Sequence, residues 1–128
     1  MGASKKEFYT EHQIQMANFF KALGHPARIA IIEKLVLNDR FNCADLCKEI
    51  PLSQSTISYH LKELFENGII GYFVERSSCY YQPVKKVLKY ITKYLKRIQQ
   101  MANREDYLMK QSYSKPRIIH KSTFFFRV

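Results

Sequence analysis

The stretch LSQSTISYHLKELFENG (residues 52–68), followed at once by IIGYFVERSSCYYQ (residues 69–82), decides how this chain of 128 residues folds. Ser53 is a good N-cap, because its hydroxyl accepts a bond from an otherwise unpaired amide of the first turn, and the helix it opens runs toward Asn67 and Gly68. At 100° per residue, Ile57, Leu61, Leu64 and Phe65 share one stripe, the face a small core would bury. Gln54, Ser55, Ser58, Tyr59 and Lys62 lie on the other side. Hydroxyls, amides and cations on such a face match base-edge acceptors and phosphates of a DNA major groove, although a solvated helix face has the same composition. His60 flanks the buried stripe, placed either for a groove contact or as a cap over the core.

The flanks bear on that choice. Upstream, Asn42 is placed to cap a helix over Cys43–Glu49, and Ile50, Pro51 and Leu52 make a three-residue break before Ser53. Two short helices across so tight a turn form a helix-turn-helix, whose second helix is the one that reads a groove. Downstream, residues 69–75 and 79–82 are rich in β-branched and aromatic side chains, with Arg76, Ser77 and Ser78 between them as a turn. Arg76 at that tip is a candidate for phosphate or minor-groove contact.

With these blocks in order, the chain resembles the ArsR/SmtB family of winged-helix transcriptional repressors. The resemblance rests on FFKALGHPARIAIIEKL (residues 19–35), NCADLCKEI, LSQSTISYHLKEL and the aromatic hairpin, and it covers about residues 8–103. It implies a mainly α fold with a small β-hairpin, a homodimer joined through its first and last helices, a double-stranded DNA operator as partner, and release by a metal ion or other small effector. Many members carry two cysteines as CVCDL where this chain reads NCADL, which puts Asn42 and Ala44 at the usual thiolate positions. Others bind metal through Asp and His of the last helix, and residues 84–103 contain neither. No metal or cofactor is therefore carried over, and the inducer is left open.

Cys43 and Cys47 nonetheless lie four apart on one side of their helix, as candidates for redox or soft-metal sensing or for plain packing. Two thiolates leave a structural zinc two ligands short. A disulfide between them would unwind the helix, because Cβ atoms at that spacing are about 5–6 Å apart and a disulfide needs about 3.8 Å. Cys79 belongs to the hairpin and shares a face with Tyr81. His12, His25 and His120 have no partner at ligand spacing, Ser58 and His60 point different ways, and four glycines provide no phosphate-cradling loop, so an enzyme is not expected.

Length and composition suit one winged-helix domain over residues 1–110 with dimerisation helices, then a tail over residues 111–128. No apolar run approaches the roughly 18 residues of a membrane span, no secretory leader is evident, and three unpaired-looking cysteines fit a reducing compartment. A cytoplasmic protein is expected. The net charge of +10 is uneven: residues 1–81 balance to zero and residues 82–128 carry all of the excess. That neutrality around the motif leaves an alternative, a winged helix that engages proteins rather than DNA. From Val84 onward, Val87, Leu88, Ile91, Leu95, Ile98 and Met101 recur at helical steps opposite a lysine-rich side, a stripe longer than so small a core covers and suited to a second subunit. Phe8, Ile14, Ala17 and Phe20 give the first helix surplus bulk of the same kind. The tail, with Phe124, Phe125 and Phe126, is expected to fold back or add an edge strand.

Overall fold

The computed structural model describes residues 5–109, so the tail expected over residues 111–128 lies outside the described residues. After a 3-10 turn at Lys5–Phe8 come α1 (Glu11–Leu23), α2 (Pro26–Leu37), α3 (Cys43–Glu49), α4 (Gln54–Glu66), β1 (Ile70–Glu75), β2 (Ser78–Pro83) and α5 (Lys85–Met109). The chain divides into a unit ending at Lys93 and a second beginning at Tyr94, with the boundary inside α5.

Local chemistry sets most of these boundaries. Thr10 and Gln13 form a capping box at the start of α1, and Asn42 and Asp45 form another at α3, each side chain accepting from the other's backbone amide at 2.9 and 3.0 Å. Gly24 ends α1, Pro26 takes the first position of α2, and His25 caps that helix by accepting from the Ala27 amide at 3.1 Å. Ser53 Oγ accepts from the Thr56 amide at 3.2 Å to open α4. The far end of α4 is a Schellman motif: Gly68, at φ 75°, donates to the Phe65 carbonyl and Ile69 to that of Leu64, both at 3.0 Å.

The core of the first unit is built on α4. Ile57, Leu61 and Leu64 are fully or almost fully buried, against Met16, Phe19 and Ala22 of α1, Ile31 and Leu35 of α2, Leu46 and Ile50 around α3, and Ile69 and Ile70 at the foot of the hairpin. Each large side chain so buried contributes about 1.5–3 kcal/mol. Phe65 departs from the expected stripe. It is 45% exposed, because α4 turns it past the core and its ring lies 5.2 Å from that of Tyr72 on the hairpin.

The hairpin is antiparallel, pairing Tyr72 with Tyr81 and Val74 with Cys79. Its turn is tighter than the three-residue break expected, since Ser78 already pairs with Glu75 and only Arg76 and Ser77 form the loop, at φ 49° and 67°. Two successive left-handed residues are the signature of a type I′ turn, the two-residue loop whose twist matches the strands. A third extended segment joins the sheet: the Tyr81 amide donates to the Phe41 carbonyl at 2.9 Å, tying β2 to the residue before the α3 cap. Arg40, next to Phe41, forms an ion pair at 2.7 Å with Glu75 at the end of β1.

Because a left-handed backbone strains any residue with a Cβ, Ser77→Gly should raise the urea midpoint of the hairpin-bearing protein by an amount equivalent to about 0.5–1 kcal/mol, and Ser77→Val should lower it.

Candidate nucleic-acid interface

The outward face of α4 carries Gln54, Ser55, Ser58, Tyr59 and Lys62, all exposed, with Tyr59 at 55%. The N-terminal hydroxyls are partly ordered by the cap itself, since Ser53 Oγ lies 3.1 Å from Ser55 Oγ and 2.7 Å from Thr56 Oγ1. Lys62 faces Glu66 one turn on at 3.9 Å, an exposed pair of a kind worth little and easily exchanged for a phosphate contact. Arg76 stands exposed at the hairpin tip. Between α4 and the hairpin runs a cleft of about 220 Å³ lined by Ser58, Leu61, Lys62, Phe65, Tyr72 and Tyr81.

His60 is a correction to the expected surface set. Its side chain is only 4% exposed, and its Nδ1 accepts from Arg28 Nε at 3.1 Å. The ring therefore faces inward, not toward a groove. The reason is helical geometry: His60 is three residues after Ile57 and one before Leu61, so the buried stripe draws it in. Burial first, then the charges of His25 and Arg28, hold its imidazole below the ordinary histidine range, while Glu63 opposes them.

Arg28 was not among the residues singled out from sequence. The signal was present, since Arg28, Ile31 and Leu35 fall at steps of three and four and share the buried side of α2. Arginine is rarely fully buried without a partner, so the stripe alone does not suggest one there. The pairing of Phe41 with Tyr81 was also missed, because one extended residue between two helices has no periodicity to show.

Cys43 and Cys47 are both half-buried beside α4. Cys43 Sγ lies 3.5 Å from Ser58 Oγ and 4.0 Å from the Gln54 carbonyl, so the thiol touches two residues of the outward face. The Cys47 thiol is pushed up by burial first, and then by the charge and hydrogen bond of Cys43. A raised thiol holds less thiolate, which favours packing over reactivity at that position. Among the described residues no cluster of three or more His, Cys, Asp or Glu is arranged to hold a metal ion. Burial, followed by Cys79 and then Cys43 and Tyr72, pushes the Tyr81 phenol up to about 12.

A capped helix, a three-residue turn, a second helix with a polar outer face and a twisted hairpin beside it define a winged helix-turn-helix. The family described as bacterial regulatory protein, arsR family, matches residues 25–72, from the α2 cap into β1. An uncharacterized HTH-type transcriptional regulator of Methanocaldococcus jannaschii is 34% identical over 77 residues, 60% of this chain and 86% of the relative. One from Mycobacterium tuberculosis strain H37Rv is 42% identical over 55 residues, 43% of this chain and 48% of the relative, so the match spans about half of that protein's length. The solved structure of an ArsR-like transcriptional regulator from Rhodococcus sp. RHA1 has the same fold, with a TM-score of 0.73 at 22% identity over 83% of this chain and 100% of its own. The chain belongs to the arsR family of bacterial regulatory proteins.

Tyr81 supplies a pH test of the site. The folded protein keeps this proton after the unfolded chain, at 10.0, has lost it, so the contribution is complete below pH 10 and disappears as pH rises toward about 12. Chemical denaturation across that window should show stability falling with pH, with a shallower fall in Tyr81→Phe.

Proposed function

We propose that this chain is a sequence-specific DNA-binding transcriptional regulator, a repressor in mode, that acts as a homodimer on a double-stranded operator in the cytoplasm. The observation that carries the proposal is the outward face of α4, where Gln54, Ser55, Ser58, Tyr59 and Lys62 are exposed together while the opposite stripe anchors the helix in the core. In this reading those five side chains contact base edges and phosphates in the major groove, and Arg76 reaches the backbone from the hairpin tip. Membership in a family of transcriptional regulators rather than of enzymes supports it.

Self-association has its own support. α1 presents a groove of about 410 Å³ lined by Tyr9, Gln13, Ile14, Ala17 and Asn18. The second unit, taken by itself, leaves Leu95, Ile98 and Met101 exposed along α5. Apolar rows of this length are suited to burial against a second copy. Two-fold symmetry then calls for a palindromic operator with half-sites about one helical turn, or a multiple, apart.

Salt dependence tests the proposal. A palindromic duplex should be shifted with an affinity that falls steeply as salt rises, and Lys62→Ala should make the slope of log affinity against log salt shallower by about one. Absence of binding to any duplex by the folded protein at low salt would leave the protein-binding use of the fold as the better account.

A second reading, thiol control of the same regulator, is favoured by the contact between Cys43 Sγ and Ser58 Oγ. A group added to that sulfur displaces Ser58 on the outward face. Peroxide or arsenite should then release wild-type protein from its duplex while Cys43→Ser stays bound. Equal retention of both proteins would assign Cys43 and Cys47 to packing alone.

A further inference from the structure

Arg28 is a permanent cation placed on the inward stripe of α2 at 9% exposure. A buried charge normally has a carboxylate opposite it. Here, among the described residues, the ion pairs are made by Lys34, Arg40, Lys48 and Lys62, not by Arg28. Its neighbours are neutral instead. Nη1 donates to the Ala22 carbonyl at the end of α1 at 3.3 Å, Nε donates to His60 Nδ1 at 3.1 Å, and the guanidinium carbon lies 5.8 Å from the centre of the Tyr59 ring. One buried side chain thus joins the end of α1, the body of α2 and the inner edge of α4, and it backs an aromatic ring on the outward face.

The bond to His60 has a strict proton requirement. Arginine keeps its proton in proteins, so Nε can only donate and His60 Nδ1 must carry a lone pair. A proton on Nδ1 removes the acceptor and sets a second cation against the first where little water reaches either. The surroundings add to the conflict. The His25 ring, from the turn before α2, lies 4.4 Å from that of His60. Tyr59 adjoins on α4 with ring centres 5.5 Å apart, and Glu63, one turn further on, is the acidic group that acts on His60 in the opposite sense.

We propose that Arg28 and His60 form a proton-sensitive latch that holds α4 and Tyr59 in the orientation used to read DNA, so that protonation of His60 weakens operator binding. The proposal rests on the DNA-binding reading above. Arg28 and His60 are positioning residues, since both lie beneath the contact face. The depressed imidazole agrees with the geometry: between its folded value and the ordinary 6.5, the unfolded or unlatched chain binds the proton first, so acidification through that window favours release of α4. The sign is distinctive, because added positive charge on its own strengthens attachment to phosphates.

The test uses a duplex selected by the wild-type protein from a randomised pool at about pH 7.5, with fluorescence anisotropy at constant ionic strength down to about pH 5.5. Wild type should lose affinity progressively as the pH falls, by at most about tenfold at about pH 5.5, the ceiling for uptake of a single proton by a group whose ordinary value is 6.5. His60→Asn places a non-titrating oxygen near the position of Nδ1 and should change less than about twofold over the same range. Equal pH profiles for the two proteins, or tighter wild-type binding in acid, would overturn the latch. Nitrogen-15 NMR of the wild-type protein gives a second, DNA-free reading. The Arg28 Nε–H should be protected while His60 Nδ1 is unprotonated, and should be lost with the midpoint of the His60 titration. An Arg28 signal that survives that titration also refutes the latch, whether or not His60→Asn folds. A pool that yields no bound duplex instead removes the DNA reading and leaves the latch to the NMR result.

Discussion

Burial of one side of α4 is the constraint from which the rest of the first unit follows. Ile57, Leu61 and Leu64 are shared by α1, α2, α3 and the foot of the hairpin, so removing that stripe would leave each neighbour without its apolar partner. The same burial fixes the helix in rotation, and rotation decides which side chains face outward. A turn of about 100° would put Ser58, Lys62 and Phe65 where Ile57, Leu61 and Leu64 now stand. The polar face of α4 is therefore a consequence of core packing as much as of its own composition.

The wing and the upstream loop are held to that helix by backbone bonds as well as by side chains. The Schellman end of α4 feeds Ile69 and Ile70 directly into the core, which sets where β1 begins. Val84 returns its amide to the Ile69 carbonyl at 2.9 Å, closing the base of the hairpin. The Phe41 bond to Tyr81 then ties the strand pair to the start of α3. The tip carrying Arg76 is thus attached at three points to the elements that position α4.

Charge plays a different part here from the one net composition suggests. Residues 1–81 are neutral overall, yet acids of the motif are engaged: Glu49 with Lys34, Glu75 with Arg40, and Glu66 with Lys62. The first two cations lie on α2 and in the loop after it, so these acids tie elements together while Lys62 and Arg76 stay at the outer surface. Proposed phosphate contact then depends on where a few cations stand, and less on the sum over residues 1–81.

Much of this was legible in the chain itself. Caps at Asn42 and Ser53, the Gly68 stop and the helical steps of α4 depend on residues within a few positions of one another, so local chemistry determined them. The helix-turn-helix and the hairpin followed from their order. What only the tertiary structure decided concerns residues with two good local options. Phe65 fits an apolar stripe but leaves it for Tyr72, and His60, at the margin of the buried stripe, turns inward, where it meets a guanidinium 32 positions earlier in the chain. Arg28 itself reads as surface by residue type and is buried by its neighbours Ile31 and Leu35. Such choices depend on which partners tertiary packing brings into contact, an arrangement that sequence spacing does not encode.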